Sequence, residues 1–137
     1  MGEPVLAWSE QLALGQTVMD DTHREFVEQL NRVGDALDTG VLAALDDFIA
    51  HTETHFAQEE EWMEAIAFPP LGCHRAEHTK VLETAHEVRK RVAAGDTRLG
   101  RMLAEALAEW FPQHAASMDA MLVLFMQQTG FVPESTT

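Results

Sequence analysis

His55 and Glu59 stand four residues apart, and the chain repeats that interval at His74 and His78. On an α-helix such positions share one face, about 6 Å apart along the axis, so each pair aims two metal-ligating groups at one volume. A single His-x-x-x-Glu is weak, because it usually marks a solvated contact between helical neighbours. Here His114 is followed five residues on by Asp119, and His23 opens the apolar stripe of an earlier helical segment. Five imidazoles and two carboxylates on four helical patterns restrict the fold more than composition does. The helices must be arranged so that these positions meet.

The pattern along the chain supplies such an arrangement. Residues 1–16 read as an N-terminal arm with Pro4, Gly15 and no sustained helical period, and Trp8 is expected to dock on the core. Thr17 and Asp20 resemble an N-cap pair. A first helix then runs to about Leu37, with Phe26, Val27, Leu30, Val33 and Leu37 at helical spacing and His23 on the same stripe. Asp38-Thr39-Gly40 breaks it. A second helix spans about Val41 to Ala65, with Leu42, Leu45, Phe48, Ile49, Thr52, Phe56, Glu59 and Met63 inward and His55 beside them. His51 falls on the far side. Glu60, Glu61 and Glu64 form a solvated acidic edge, with Glu60 also placed to support a ligand from behind. Pro69-Pro70 ends this helix.

A third helix, to about Ala94, turns Leu71, His74, His78, Val81, Leu82, Ala85 and Val88 inward and leaves His86 at a polar edge. Gly95-Asp96 is a turn. A fourth helix runs from about Thr97 to Gln128, with Leu99, Met102, Leu103, Ala106, Leu107, Trp110, His114, Met121, Leu122 and Phe125 inward. Pro112 removes the bond its amide would give to the Ala108 carbonyl and predicts a kink. Residues 131–137 read as a frayed tail.

Four amphipathic helices with short connections predict an all-α, antiparallel up-down-up-down four-helix bundle over 17–130. His23 is early in its helix, His55 late, His74 early and His114 late. In antiparallel order all four reach one level, toward one end of the bundle. Seven ligands exceed the four of a single zinc and suit two first-row metals bridged by the carboxylates. Imidazole accepts iron, zinc, copper or nickel, so the residues alone leave the metal open. His114 and Asp119, five apart, lie about 140° from each other on a straight helix. They share a site only where the helix is irregular, through Pro112 or a π-bulge.

The net charge of −14 excludes a basic nucleic-acid footprint. No apolar run reaches membrane-span length, and the N-terminus lacks a signal pattern. The one cysteine, Cys73, forms no intrachain disulfide and reads as a small buried residue. The expectation is a cytoplasmic monomer.

The combination Trp8…Gly15…Asp20-x-x-His23, His55-Phe56-x-x-Glu59-Glu60-x-x-Met63, Pro69…His74-x-x-x-His78 and Trp110-x-x-x-His114-x-x-x-x-Asp119 resembles the hemerythrin family, in particular its single-domain bacterial members. The resemblance covers residues 8 to 125. It implies a non-haem di-iron centre (Fe2+/Fe3+) with an oxo or hydroxo bridge and O2 as a reversible ligand. It also implies His74, His78 and His114 on one iron, His23 and His55 on the other, and Glu59 and Asp119 as bridges. Phe26, Phe56, Trp110, Ala115 and Met118 would wall the O2 pocket. Ala115 stands where family members typically carry a larger aliphatic residue, and Pro112 is unusual. The expected function is O2 carriage, storage or delivery without catalysis, with small anions such as azide as further ligands. The alternatives are an O2 or redox sensor acting through a separate protein, and a di-iron enzyme acting on peroxide or NO.

Overall fold

The computed structural model describes residues 3–134. Four antiparallel rods account for most of them: α1 (Thr17–Asp35), α2 (Val41–Ala65), α3 (Leu71–Ala93), and a fourth rod made of α4 (Arg98–His114), a π-helical turn (Ala115–Asp119) and α5 (Ala120–Thr129). α1 packs on α2 and α4, and α3 packs on the same two neighbours, which closes the four-helix bundle. Among the described residues, no helix is long and apolar enough to cross a membrane.

The helix ends follow local chemistry, with two departures from expectation. Gln16, rather than Thr17, caps α1: its side chain accepts the Met19 amide at 2.9 Å. Asp20 instead reaches back to accept the Leu14 and Gly15 amides at 2.7 and 3.1 Å, fastening the end of the arm. α1 stops at Asp35 because Ala36 turns extended. Leu37 therefore leaves the stripe and is 79% exposed, not inward.

The arm lies along α1. Asn31 clamps it, its side chain accepting the Leu6 amide and donating to the Leu6 carbonyl. Val5 sits over Gly34, where a Cβ would meet a Val5 methyl at 2.8 Å. Trp8 docks half-buried, with the Arg24 guanidinium 4.8 Å above its ring.

The fourth rod is rotated from the face read in the sequence. Met102 and Met121 are exposed, as is Ala106, while Gly100, Ala104 and Phe111 are buried. Gly100 sets the rotation by permitting close approach: a Cβ there would lie 2.3 Å from a Val41 methyl. Cys73 is exposed rather than buried, because it lies beside the stripe that His74 and His78 define. The chain after Gly130 is not frayed up to 134: Pro133 is buried and Phe131 packs on the core. Residues 135–137 lie outside the described residues.

The hydrophobic core is divided. A larger cluster holds Phe26, Leu30, Val33, Val41, Leu45, Phe48, Phe56, Ala85, Leu103, Phe111 and Ala115, among others. A smaller one holds Met19, Trp62, Met63, Phe68, Leu122, Val123 and Met126. On each rod the candidate ligands fall between residues of the two clusters: His23 between Met19 and Phe26, Glu59 between Phe56 and Met63, His74 and His78 between Leu71 and Val81, and His114 and Asp119 between Phe111 and Leu122. A polar layer thus crosses an otherwise apolar interior, and residues beyond it cap the bundle end.

Candidate metal centre

All seven expected residues meet in that layer, each at most 4% exposed. Glu59 is central. Its Oε2 lies 2.6 Å from His55 Nε2 and 3.6 Å from His23 Nε2, while its Oε1 lies 3.4 Å from His74 Nε2 and 3.3 Å from His78 Nε2. Asp119 repeats the division: Oδ2 is 3.3 Å from His23 Nε2, and Oδ1 is 3.0 and 3.3 Å from His74 and His114 Nε2. Each carboxylate turns one oxygen toward the α1–α2 side and the other toward the α3–α4 side.

The interval between His114 and Asp119 is accommodated by the π-helical turn Ala115–Asp119. Its wider turn brings positions five apart onto one face. Pro112, which has no amide to give to Ala108, lies three residues upstream of that turn and loosens the ladder before it.

Whether this layer fits metal is decided by its unpaired atoms. The Nε2 atoms of His23, His74, His78 and His114, with Glu59 Oε1 and Asp119 Oδ1, are buried without a well-formed hydrogen bond. Buried polar atoms are ordinarily paired, so several unpaired nitrogens and oxygens pointing into one volume form a ligand set. The donors fall into two groups, each with its ligating atoms within 4.8 Å of one another: Glu59, His74, His78, His114 and Asp119, and His23, His55 and Glu59. Nitrogen and oxygen donors of this kind suit first-row divalent metals.

Electrostatics within the protein point the same way. Burial alone would pull the His23 imidazole down, but the adjacent Asp119 and Glu59 carboxylates outweigh it and push its pKa up to about 10. For His74 burial again opposes, and the same two carboxylates carry it up to about 9. Burial would raise Glu59 and Asp119, yet the surrounding imidazoles hold both well below the ordinary carboxylate range. Two carboxylates that stay ionised in a dry interior require cations, supplied either by protonated histidines or by metal.

The flanking residues orient the rings. Phe56 stacks on His78 with centroids 3.8 Å apart and planes 3° from parallel, and Trp110 stacks on His114 at 4.4 Å and 24°. Phe111 meets His23 edge-on at 5.0 Å, and it stacks on Phe26 at 4.7 Å. Of the expected pocket wall, Phe26, Phe56 and Ala115 are buried, whereas Trp110 and Met118 are half-buried. Phe111, not Trp110, lies deepest on this side; the unexpected rotation of the fourth rod concealed it in the sequence. Behind the rings, His78 Nδ1 lies 3.1 Å from Glu60, as the sequence suggested. His114 Nδ1 lies 3.0 Å from Glu77, which the sequence reading missed. The available signal was position: Glu77 precedes His78 and follows His74 by three, at the edge of their stripe. His51 and His86 stand outside the layer, His86 paired with Glu53 at 3.0 Å on the surface.

A four-helix bundle with histidines and two shared carboxylates across its interior defines a dinuclear non-haem metal protein. Residues 14–124 match the hemerythrin HHE cation-binding domain, and the chain belongs to the hemerythrin family. It is 52% identical over 127 residues to a bacteriohemerythrin of Ralstonia nicotianae, covering 93% of each. It is 31% identical over 119 residues to a bacteriohemerythrin of Stenotrophomonas maltophilia, covering 84% of this chain and 77% of the relative. In fold it is similar to the crystal structure of a mutant hemerythrin, with TM-score 0.80 and 20% identity over 87% of this chain and 95% of that one. The protein is accordingly a di-iron, oxygen-binding protein.

Proposed function

We propose that His74, His78 and His114 hold one iron, that His23 and His55 hold the other, and that Glu59 and Asp119 bridge them. The observation that carries this reading is the split of each carboxylate's two oxygens between the two groups of histidines. The α1–α2 group has one histidine fewer, which leaves room there for O2 or a small anion such as azide. Bound in this layer, an iron pair supplies the two electrons for reversible O2 binding.

The protein's own part is to hold the imidazoles in register and keep the layer dry. Phe26, Phe56 and Ala115 close it from the larger cluster, with Trp110 and Met118 at its margin. A dry wall disfavours charge separation and so favours release of neutral O2. We place the protein in the cytoplasm, acting as a monomer on O2 carriage, storage or delivery.

Metal analysis with absorption spectra under air and under argon tests the reading. The expected result is two iron atoms per chain and a spectrum that changes reversibly with O2. One metal per chain, or two zinc atoms after iron-replete expression, would overturn it. Glu59→Ala should lose at least one iron and part of the thermal stability, because ligand binding and helix packing are coupled. Full iron occupancy in that variant removes Glu59 from the site.

A further inference from the structure

The two histidine groups differ in what stands behind them. His78 Nδ1 is 3.1 Å from a Glu60 oxygen, and His114 Nδ1 is 3.0 Å from Glu77 Oε1. The Nδ1 atoms of His23, His55 and His74 have no hydrogen-bond partner among the described residues. Both outer carboxylates therefore act on the three-histidine side. An imidazole that donates Nδ1–H to a carboxylate presents Nε2 as the inward lone pair and becomes a stronger donor to a metal.

The two carboxylates are not equivalent. Arg75 Nε donates to Glu60 at 3.0 Å, and Arg75 also reaches Glu64. A guanidinium beside Glu60 offsets the charge it can project onto His78. Glu77 has no Lys or Arg partner among the described residues. Its Oε1 faces two ring N–H donors, His114 Nδ1 and Trp110 Nε1 at 3.1 Å, and Trp110 is itself stacked on the His114 ring. Glu77, 40% exposed, thus has no guanidinium beside it and is fixed against one imidazole by a neighbour that also fixes that imidazole.

We infer that Glu77, held by Trp110, is a positioning residue that sets the electron-donor strength of His114 and makes the three-histidine iron the more easily oxidised of the two. The inference rests on the di-iron reading above. Charge on Glu77 favours the ferric state at that metal; the same charge on Glu60 is damped by Arg75. Trp110 competes with His114 for the same oxygen, so it moderates the effect while keeping the geometry.

Redox titration of the iron-loaded protein, with iron content measured in parallel, tests this. Glu77→Gln keeps a carbonyl acceptor and removes the charge, so the midpoint potential should rise, and by more than in Glu60→Gln. Trp110→Phe keeps a stacked ring and removes the competing N–H, so the potential should fall. Opposite signs from two contacting residues are not produced by general loosening of the bundle. In the diamagnetic zinc-loaded protein, the His114 Nδ1–H resonance should move upfield in Glu77→Gln while His78 Nδ1–H stays in place.

An unchanged potential in Glu77→Gln with two irons retained overturns the inference, as does an equal shift in Glu60→Gln or a rise in Trp110→Phe. Should Glu77→Gln fail to keep iron, zinc affinity lowered about 10- to 100-fold together with a lowered potential in Trp110→Phe supports it. Iron loss with Trp110→Phe unchanged overturns it. Wild-type protein without two irons would instead overturn the di-iron reading.

Discussion

The two apolar clusters on either side of the ligand layer are built differently. The larger one draws on all four rods and the arm and is filled by rigid residues: Phe26, Phe48, Phe56 and Phe111 with Leu, Ile and Val between them. The smaller one is filled by Met19, Met63 and Met126 around Trp62 and Phe68. Methionine packs adaptably and specifies position weakly. The smaller cluster is joined to the larger one through a layer of imidazoles and carboxylates, whose cohesion depends on whether protons or metal neutralise the buried charge. The difference teaches that one end of the bundle is held by packing alone and the other by packing together with the charge balance of the ligand layer.

The largest expected effect separates the clusters. Phe48→Ala empties a fully buried site in the larger cluster and should cost about 3–5 kcal/mol. Denaturant titrations should show the same loss with and without iron, because Phe48 lies two helical turns from His55 along α2. Met63→Ala, in the smaller cluster four residues after Glu59, should cost about 2–5 kcal/mol in the iron-loaded protein. It should cost clearly less in the iron-free chain, where no metal ties that end to the rest of the bundle. Equal losses in both states for Met63→Ala would show that the bundle end is held by its own packing.

A middle-sized effect is expected at the boundary of the layer. Ala115 is 1% exposed and packs with the larger cluster at the start of the π-helical turn. Adding three carbons in Ala115→Leu overpacks the site, at a cost of about 1–3 kcal/mol, visible as a lowered Tm. The longer side chain should also narrow access to the layer and slow both O2 entry and autoxidation. Stopped-flow mixing of reduced protein with O2 checks this, and an unchanged or faster autoxidation rate means Ala115 does not gate the site.

The iron-free layer should also respond to pH in a definite sense. His23 and His74 are raised from 6.5 to about 10 and about 9. Their contribution to stability is full below pH 6.5 and is lost as pH rises through the folded values. Glu59 and Asp119 are lowered from ordinary values of 4.5 and 3.8. Theirs is full above those values and is lost as pH falls below them. The iron-free chain should therefore be most stable between about pH 5 and 6.5. Metal must displace the histidine protons, so loading at neutral pH should release protons, and apparent affinity should rise with pH. Calorimetric loading in buffers of different ionisation enthalpy reads this directly; no buffer dependence would mean that the histidines were already neutral.

Much of this layer was legible because its spacing is helical. The pairs His55–Glu59 and His74–His78 need only a helix, and their common level needs only antiparallel order. Pro69-Pro70 and Gly95-Asp96 mark the ends that produce that order. Asp119 was legible only conditionally, since a five-residue interval requires the π-helical turn that five unremarkable residues adopt. The face of α4 was not legible. Leu103 and Leu107 fit an inward stripe that includes either Met102 and Ala106 or Gly100, Ala104 and Phe111. Close approach to Val41 decides for the second set, and small residues carry no hydrophobic signal of their own. Glu77 was hidden for the same reason: its partners His114 and Trp110 lie on that rod, and their direction follows its rotation.

The smallest expected effect sharpens the contrast between histidines inside and outside the layer. His51 lies one turn before His55, with ring centroids 6.1 Å apart, yet its Nδ1 is 3.9 Å from Glu25 and it shares no oxygen with the seven ligands. Burial and the nearby His55 lower its pKa, which favours the neutral ring. His86 is half-exposed against an equally exposed Glu53, a surface contact worth about 0–1 kcal/mol. His51→Ala and His86→Ala should both retain two irons per chain and an unaltered spectrum, with at most a small change in Tm. Iron loss from His86→Ala would mean that the surface between α2 and α3 is coupled to the layer. Iron loss from His51→Ala would extend the layer one helical turn toward the larger cluster, and the division between a fold-making end and a metal-dependent end would have to be redrawn there.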